Sequence, residues 1–220
     1  MRFFALYFFL FFSMLVKAQN VYTKQNIWLA FNGQYTTSKY RFVLDGGNRS
    51  FDHFYRKNRT SLVRMSLGYK VYQDLFVGLG FASFYHFTYK ENDQFVQNEL
   101  RPFIQVNYSK NIHSGLVRFR FRNEFRYFKT SGILKNRSRL QLIYLHHFRN
   151  RVKLPVVQYE GFVSPDNKVF HEHRLQLGLQ YELNRVLSIS PYYMFQLQSN
   201  NPYLQNIIGL TLQYTKLHGV

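Results

Sequence analysis

The residues with the most chemistry in this chain are arginines and glutamates set at alternate positions. They are Arg64, Glu99, Arg101, Arg118, Arg120, Arg122, Glu124, Arg126, Arg137, Arg139, Glu160, Glu172 and Arg174. No lysine is among them. Arginine stays protonated and presents a planar fork that pairs two-to-two with carboxylates or phosphates. Such a set suits fixed ion pairing or anion recognition, not proton transfer. Nine arginines against four glutamates leave a cationic surplus. If the set lines one surface, the glutamates brace neighbouring segments, and the surplus favours anions as basic rings do in pores.

Other chemistries find weaker support. His171-Glu172-His173 has the ligand types for a metal, but in a strand Glu172 faces away from both histidines. His146 and His147 oppose each other in the same way. Ser83 and His86 differ in parity, and Ser164 and His171 flank a loop with nothing to orient them as nucleophile and base. With no cysteine there is neither a disulfide framework nor a thiolate site. The sequence therefore offers no catalytic, cofactor or metal residues.

The elements that must position the charges show period-two alternation. Residues 118–128 read RFRFRNEFRYF: Arg118, Arg120, Arg122, Glu124 and Arg126 take one face, and Phe119, Phe121, Phe125 and Tyr127 the other. Segments of this kind recur. They end at Tyr35, Tyr69, Tyr108, Tyr144, Tyr181 and Tyr214, spaced 34, 39, 36, 37 and 33 residues apart. Each cycle reads as one hairpin, with a short polar turn after the tyrosine and a longer connection such as KENDQ, KTSGILKN, SPDNKV or QSNN at the other end.

The runs are about 10 to 13 residues long. Soluble strands average about five or six, and membrane strands need roughly 9 to 11. Long strands with an apolar face, a charged face and an aromatic girdle predict an all-β, antiparallel transmembrane barrel. The girdle is Tyr69, Tyr108, Tyr144, Tyr181 and Tyr214. Lipid offers no backbone partners, so the sheet must close, with the apolar face toward lipid and the Arg/Glu face lining the lumen. Eleven runs can be read: 25–35, 39–52, 59–70, 75–88, 95–108, 115–128, 136–147, 153–163, 170–182, 186–198 and 203–215. Bacterial barrels are normally even-stranded. We therefore expect twelve strands, with ten as the fallback. The extra strand would come from the segment after Gln19 or from a turn at Asp45-Gly46-Gly47-Asn48.

The first 18 residues, MRFFALYFFLFFSMLVKA, read as a cleaved signal peptide, leaving 19–220 as the barrel. Their apolar run is shorter than the roughly 20 residues of a spanning helix. Net charge is +18 and aromatics make up 20%. An exported basic chain does not meet nucleic acid, so its anionic partners would be outer-membrane lipids, lipopolysaccharide or anionic solutes. Arg56, Lys57 and Arg59 form a basic cluster suited to lipopolysaccharide phosphates. Gly209, Leu212 and Tyr214 fit the final-strand pattern handed to the barrel-assembly machinery, although Ile207 stands where a polar residue is usual.

The segments NELRPF, RFRFRNEFRYF, RSRLQL, QYEGFV and HRLQLGLQYEL, behind a signal peptide, resemble an uncharacterised family of outer-membrane barrels common in Bacteroidetes-type bacteria, DUF2490. The resemblance spans roughly residues 25–215, with 36–58 departing from it. It implies a barrel in the outer membrane of a Gram-negative bacterium, and no activity, ligand or functional residue. Three functions are then in play. One is a narrow, porin-like, anion-leaning channel. The second is a closed structural or partner-binding barrel that could hold lipopolysaccharide. The third, least supported, is a lipid-modifying outer-membrane enzyme.

Overall fold

The computed structural model describes residues 24–51, 57–90, 93–148, 152–164, 167–198 and 201–218. The strands are β1 (Lys24–Thr36), β2 (Tyr40–Phe51), β3 (Lys57–Tyr72), β4 (Leu75–Lys90), β5 (Asp93–Ile112), β6 (Gly115–Phe128), β7 (Ile133–Phe148), β8 (Val152–Ser164), β9 (Asn167–Glu182), β10 (Leu187–Gln198) and β11 (Asn201–Leu217). They close into one barrel in which each strand pairs with its sequence neighbours. No helix among the described residues is long and apolar enough to cross a membrane, which says nothing about crossing by strands.

The expected count of twelve is corrected to eleven among the described residues, the same eleven runs that alternation alone picks out. Evenness is not needed because the seam is parallel. β1 lies alongside β11 from Lys24↔Gln205 to Thr36↔Leu217. In an up-and-down meander with an odd count, the first and last strands run in the same direction, so closure requires one parallel pair. The expected turn at Asp45-Gly46-Gly47-Asn48 is also absent. Gly46 pairs with Phe31 on one side and Val63 on the other, and Gly47 with Ala30 and Leu62. A hairpin there would leave both neighbouring strands unpaired. The segment from Gln19 to residue 23 and the signal peptide at 1–18 lie outside the described residues.

The connections also differ from expectation. Those at 37–39, 73–74, 113–114, 149–151 and 183–186 form what we call the tyrosine end. The opposite connection among the described residues, 129–132, is no longer than 183–186 at the tyrosine end. Polar pairs such as Lys90↔Asp93 and Ser164↔Asn167 carry the ladders past the apolar runs and consume what reads as loop. Gly132 supplies the positive φ (67°) that its tight turn needs, and its N–H meets the Phe128 carbonyl at 2.9 Å.

Alternation puts one residue set outside and the other inside the bore. On β6, Phe121, Phe125 and Tyr127 are 38–41% exposed, while Arg122 and Glu124 are 2% and 3% exposed. The outward set of β3, Val63, Met65, Leu67 and Tyr69, is likewise exposed. The usual globular arrangement is thus inverted: large apolar residues cover the outside, and charged residues are buried within.

Candidate functional site

The bore is the site. Each strand contributes alternate side chains to it, so residues far apart in sequence meet at one level. β5 brings Glu99 and Arg101, β6 Arg122, Glu124 and Arg126, β7 Arg137 and Arg139, β8 Glu160, and β9 Glu172 and Arg174.

Glu99 is fully buried and anchors one cluster. Arg101 grips it with two nitrogens, Nε to Oε1 at 2.6 Å and Nη2 to Oε2 at 2.7 Å. Arg126 donates from Nε to Oε1 at 2.5 Å, and His86 Nε2 lies 2.9 Å from Oε2. Glu124 accepts from Arg137 Nη2 at 2.6 Å, with Arg139, Arg101 and Arg122 at 3.6–3.8 Å. Glu160 accepts from Arg139, with Arg174 at 3.4 Å and Arg120 at 3.9 Å. Arg174 closes the chain onto Glu172 at 2.5 Å. Arg64 is bound instead to Asp45 at 2.7 Å, a carboxylate that Asn32 also donates to. An isolated charge in such a space is costly, and these mutual pairs with multiple hydrogen bonds offset that cost.

Apolar groups fill the gaps between the ions. Phe162 and Ile207 are 0% exposed, and Phe84, Phe103 and Met194 are also buried. Guanidiniums cover the rings. Arg101 lies 3.6 Å above Phe84, Arg122 4.2 Å above Phe103, and Arg174, Arg137 and Arg139 4.6–5.2 Å from Phe162. The Phe103 ring occupies the place of a side chain at Gly80, where a Cβ would sit 2.1 Å from it. Together these residues stopper the half of the bore away from the tyrosine end.

Against the stopper the bore holds a space that Phe84, Arg101, Arg137 and Arg174 also line. A cavity of about 330 Å³ is lined by Trp28, Arg49, Arg64, Arg120, Arg139, Gln158, Gln176 and Tyr192, among others. Seven arginines and one carboxylate, Asp45, face it. A smaller space of about 80 Å³ adjoins it toward the tyrosine end, sharing Gln158, Gln176, Tyr192 and Gln213 and adding Arg118. The Tyr192 ring lies where a side chain at Gly209 would stand, a Cβ there being 1.9 Å from it. Gly209 therefore has a packing reason to be glycine, independent of any role in assembly.

The structure places the predicted charged residues as follows. Arg101, Arg122, Glu124, Arg126, Arg137, Arg139, Glu99, Glu160, Glu172 and Arg174 meet in the stopper, Arg64 and Arg120 border the cavity, and Arg118 lies exposed near the tyrosine end. Tyr69, Tyr108, Tyr181 and Tyr214 are exposed, and Tyr144 is half-buried, its hydroxyl 3.0 Å from His146 Nδ1. Glu172 points into the bore, while His173 meets the Tyr159 hydroxyl at 2.8 Å. The side chain of His171 lies outside the described residues. No group of three metal-ligating side chains occurs among the described residues. Ser164 donates to the Asn136 carbonyl at 3.0 Å, and His86 is held between Thr60 and Glu99.

Several bore residues escape sequence reasoning. Asp45 and Arg49 share a parity that reads inward once DGGN is a strand, and the turn signal hides it. Trp28, Phe84, Phe103 and Phe162 are large apolar residues on the charged face, contrary to the rule that sorts faces. The signal for Phe84 was available, because it continues the inward parity of Gly78, Gly80 and Ala82.

A family model described as a protein of unknown function, DUF2490, matches residues 25–206. The chain belongs to this family. No curated protein matches it. Within this DUF2490 chain the match covers β2, so the segment that departs most from the charge pattern is still part of the family's domain.

Proposed function

We propose that this protein is an integral outer-membrane β-barrel with a sealed bore, acting as a structural or binding barrel and not as an open channel or an enzyme. The observation that carries the reading is the stopper. Glu99, Phe162 and Ile207 are 0% exposed inside a closed barrel. A narrow anion channel needs those side chains to line water, whereas Glu99 is enclosed by Arg101, Arg126 and His86, and Phe162 is covered by Arg137, Arg139 and Arg174.

Membrane residence is supported by the inverted surface. The outward set is apolar and aromatic along strands of 12–20 residues, and closure leaves no unpaired edge to meet lipid. Lipids of the outer membrane are then its bulk partners. A grip on lipopolysaccharide through the basic cluster gains little from Arg59, whose guanidinium reaches Gln205 in the bore at 3.5 Å. Arg56 lies outside the described residues. A signal peptide at 1–18 fits the same location.

The test is reconstitution. Refolded 19–220 should float with liposomes and leave a trapped chloride gradient intact. Substituting Leu79, 69% exposed on β4, with Arg should lower insertion by about 2–4 kcal/mol if it faces the bilayer midplane. Protein that stays in the aqueous phase would overturn the membrane reading. Rapid collapse of the gradient would overturn the sealed bore.

A further inference from the structure

The cavity beside the stopper has features that bracing does not explain. Seven arginines border it: Arg101, Arg137, Arg139 and Arg174 are held by the glutamates of the stopper and Arg64 by Asp45, which leaves Arg49 and Arg120. Arg49 makes no ion pair or side-chain hydrogen bond among the described residues. Its guanidinium stacks 3.9 Å above the Trp28 ring, and both residues line the cavity. Arg120 has only the 3.9 Å approach to Glu160, and its Nε is buried with no partner among the described residues. Neutral hydrogen-bonding groups stand around the same space. Gln158 and Gln176 are register partners across β8 and β9, and the Tyr192 phenol lies over Gly209. None of these three side chains has a hydrogen bond among the described residues, yet all line the cavity.

Leaving so many donors unused in a confined space costs free energy unless something fills them. Two uncommitted guanidiniums match a dianion through forked hydrogen bonds. Two amides and a phenol match the hydroxyls of a polyol. The volume of about 330 Å³ falls at the small end of ligand sites. Resting on the sealed-bore reading, we propose that this cavity binds a small phosphate ester of a polyol, with Arg49 and Arg120 on the phosphate and Gln158, Gln176 and Tyr192 on the hydroxyls. The ligand enters from the tyrosine end, past Arg118.

Isothermal titration of refolded 19–220 in detergent tests this, with glucose 6-phosphate, inorganic phosphate, sulfate and glucose as probes. Glucose 6-phosphate should bind at least about tenfold more tightly than glucose or sulfate. Arg49→Gln should weaken both phosphate probes at least about tenfold. Tyr192→Phe should weaken glucose 6-phosphate several-fold and leave inorganic phosphate unchanged, and this conservative change reports on the site even where an arginine variant refolds poorly. Heat-modifiable gel mobility checks that each variant is folded. Equal binding of sulfate and glucose 6-phosphate, no binding at all, or affinity unchanged in folded Arg49→Gln would overturn the proposal. Absent binding with a trapped chloride gradient intact sinks only the ligand site, whereas a collapsed gradient with binding intact sinks only the sealed bore.

Discussion

The two halves of the bore use the same residue type to opposite ends. In the stoppered half, Glu99, Glu124 and Glu160 are each held by an arginine from a neighbouring strand, and Glu172 by Arg174 of its own strand. Phenylalanines fill the space between them and lie under the guanidiniums. Around the cavity, Arg49 and Arg120 come from β2 and β6 without a carboxylate opposite them at close range. Arginine braces where it is matched and recognises where it is not, and the difference lies in the partner, not in the arginine. A count of nine arginines and four glutamates averages over the two regimes and suggests a uniformly cationic channel.

Removing a brace should cost most. Glu99→Ala leaves the buried Arg101 and the half-buried Arg126 without their anion, and we expect a loss of about 3–5 kcal/mol in urea unfolding of the refolded barrel in vesicles. A loss below about 1 kcal/mol would erase the distinction between the two halves. Phe162→Ala hollows the centre of the stopper, with an expected cost of about 3–5 kcal/mol. It would also thin the barrier between the cavity and the far end of the bore.

Gly209→Val sharpens the boundary between the halves. Its side chain would displace the Tyr192 ring from the cavity wall, costing about 1–3 kcal/mol by overpacking. The smallest stability effect is expected for Arg49→Gln, within about 1 kcal/mol, because the indole contact is its main interaction and other bore arginines repel it. An Arg49→Gln cost as large as that of Glu99→Ala would make Arg49 a brace like the rest.

Much of this was readable from the chain. Alternation identifies eleven strands, sorts RFRFRNEFRYF into two faces and collects the residues that form the stopper, because the side-chain period of a strand is two whatever surrounds it. The rule that barrels are even-stranded points to twelve instead, because local sequence does not reveal that β1 and β11 run parallel. Asp45-Gly46-Gly47-Asn48 carries a strong turn signal, but pairing on both sides holds it extended. The stopper itself was not legible. Phe84, Phe103 and Phe162 belong to the apolar class that parity sends outward, and only the closed bore shows that guanidiniums cover their rings.

The most direct test of the sealed, ion-braced bore is single-channel recording of refolded 19–220 in planar bilayers under a KCl gradient, beside Phe162→Ala. The account predicts no steady current from the folded wild-type barrel, and openings, if any, only in the variant. Steady anion-selective conductance from the wild type, shifted when Arg120 and Arg122 become Ser, would contradict it and make the arginine row a pore lining.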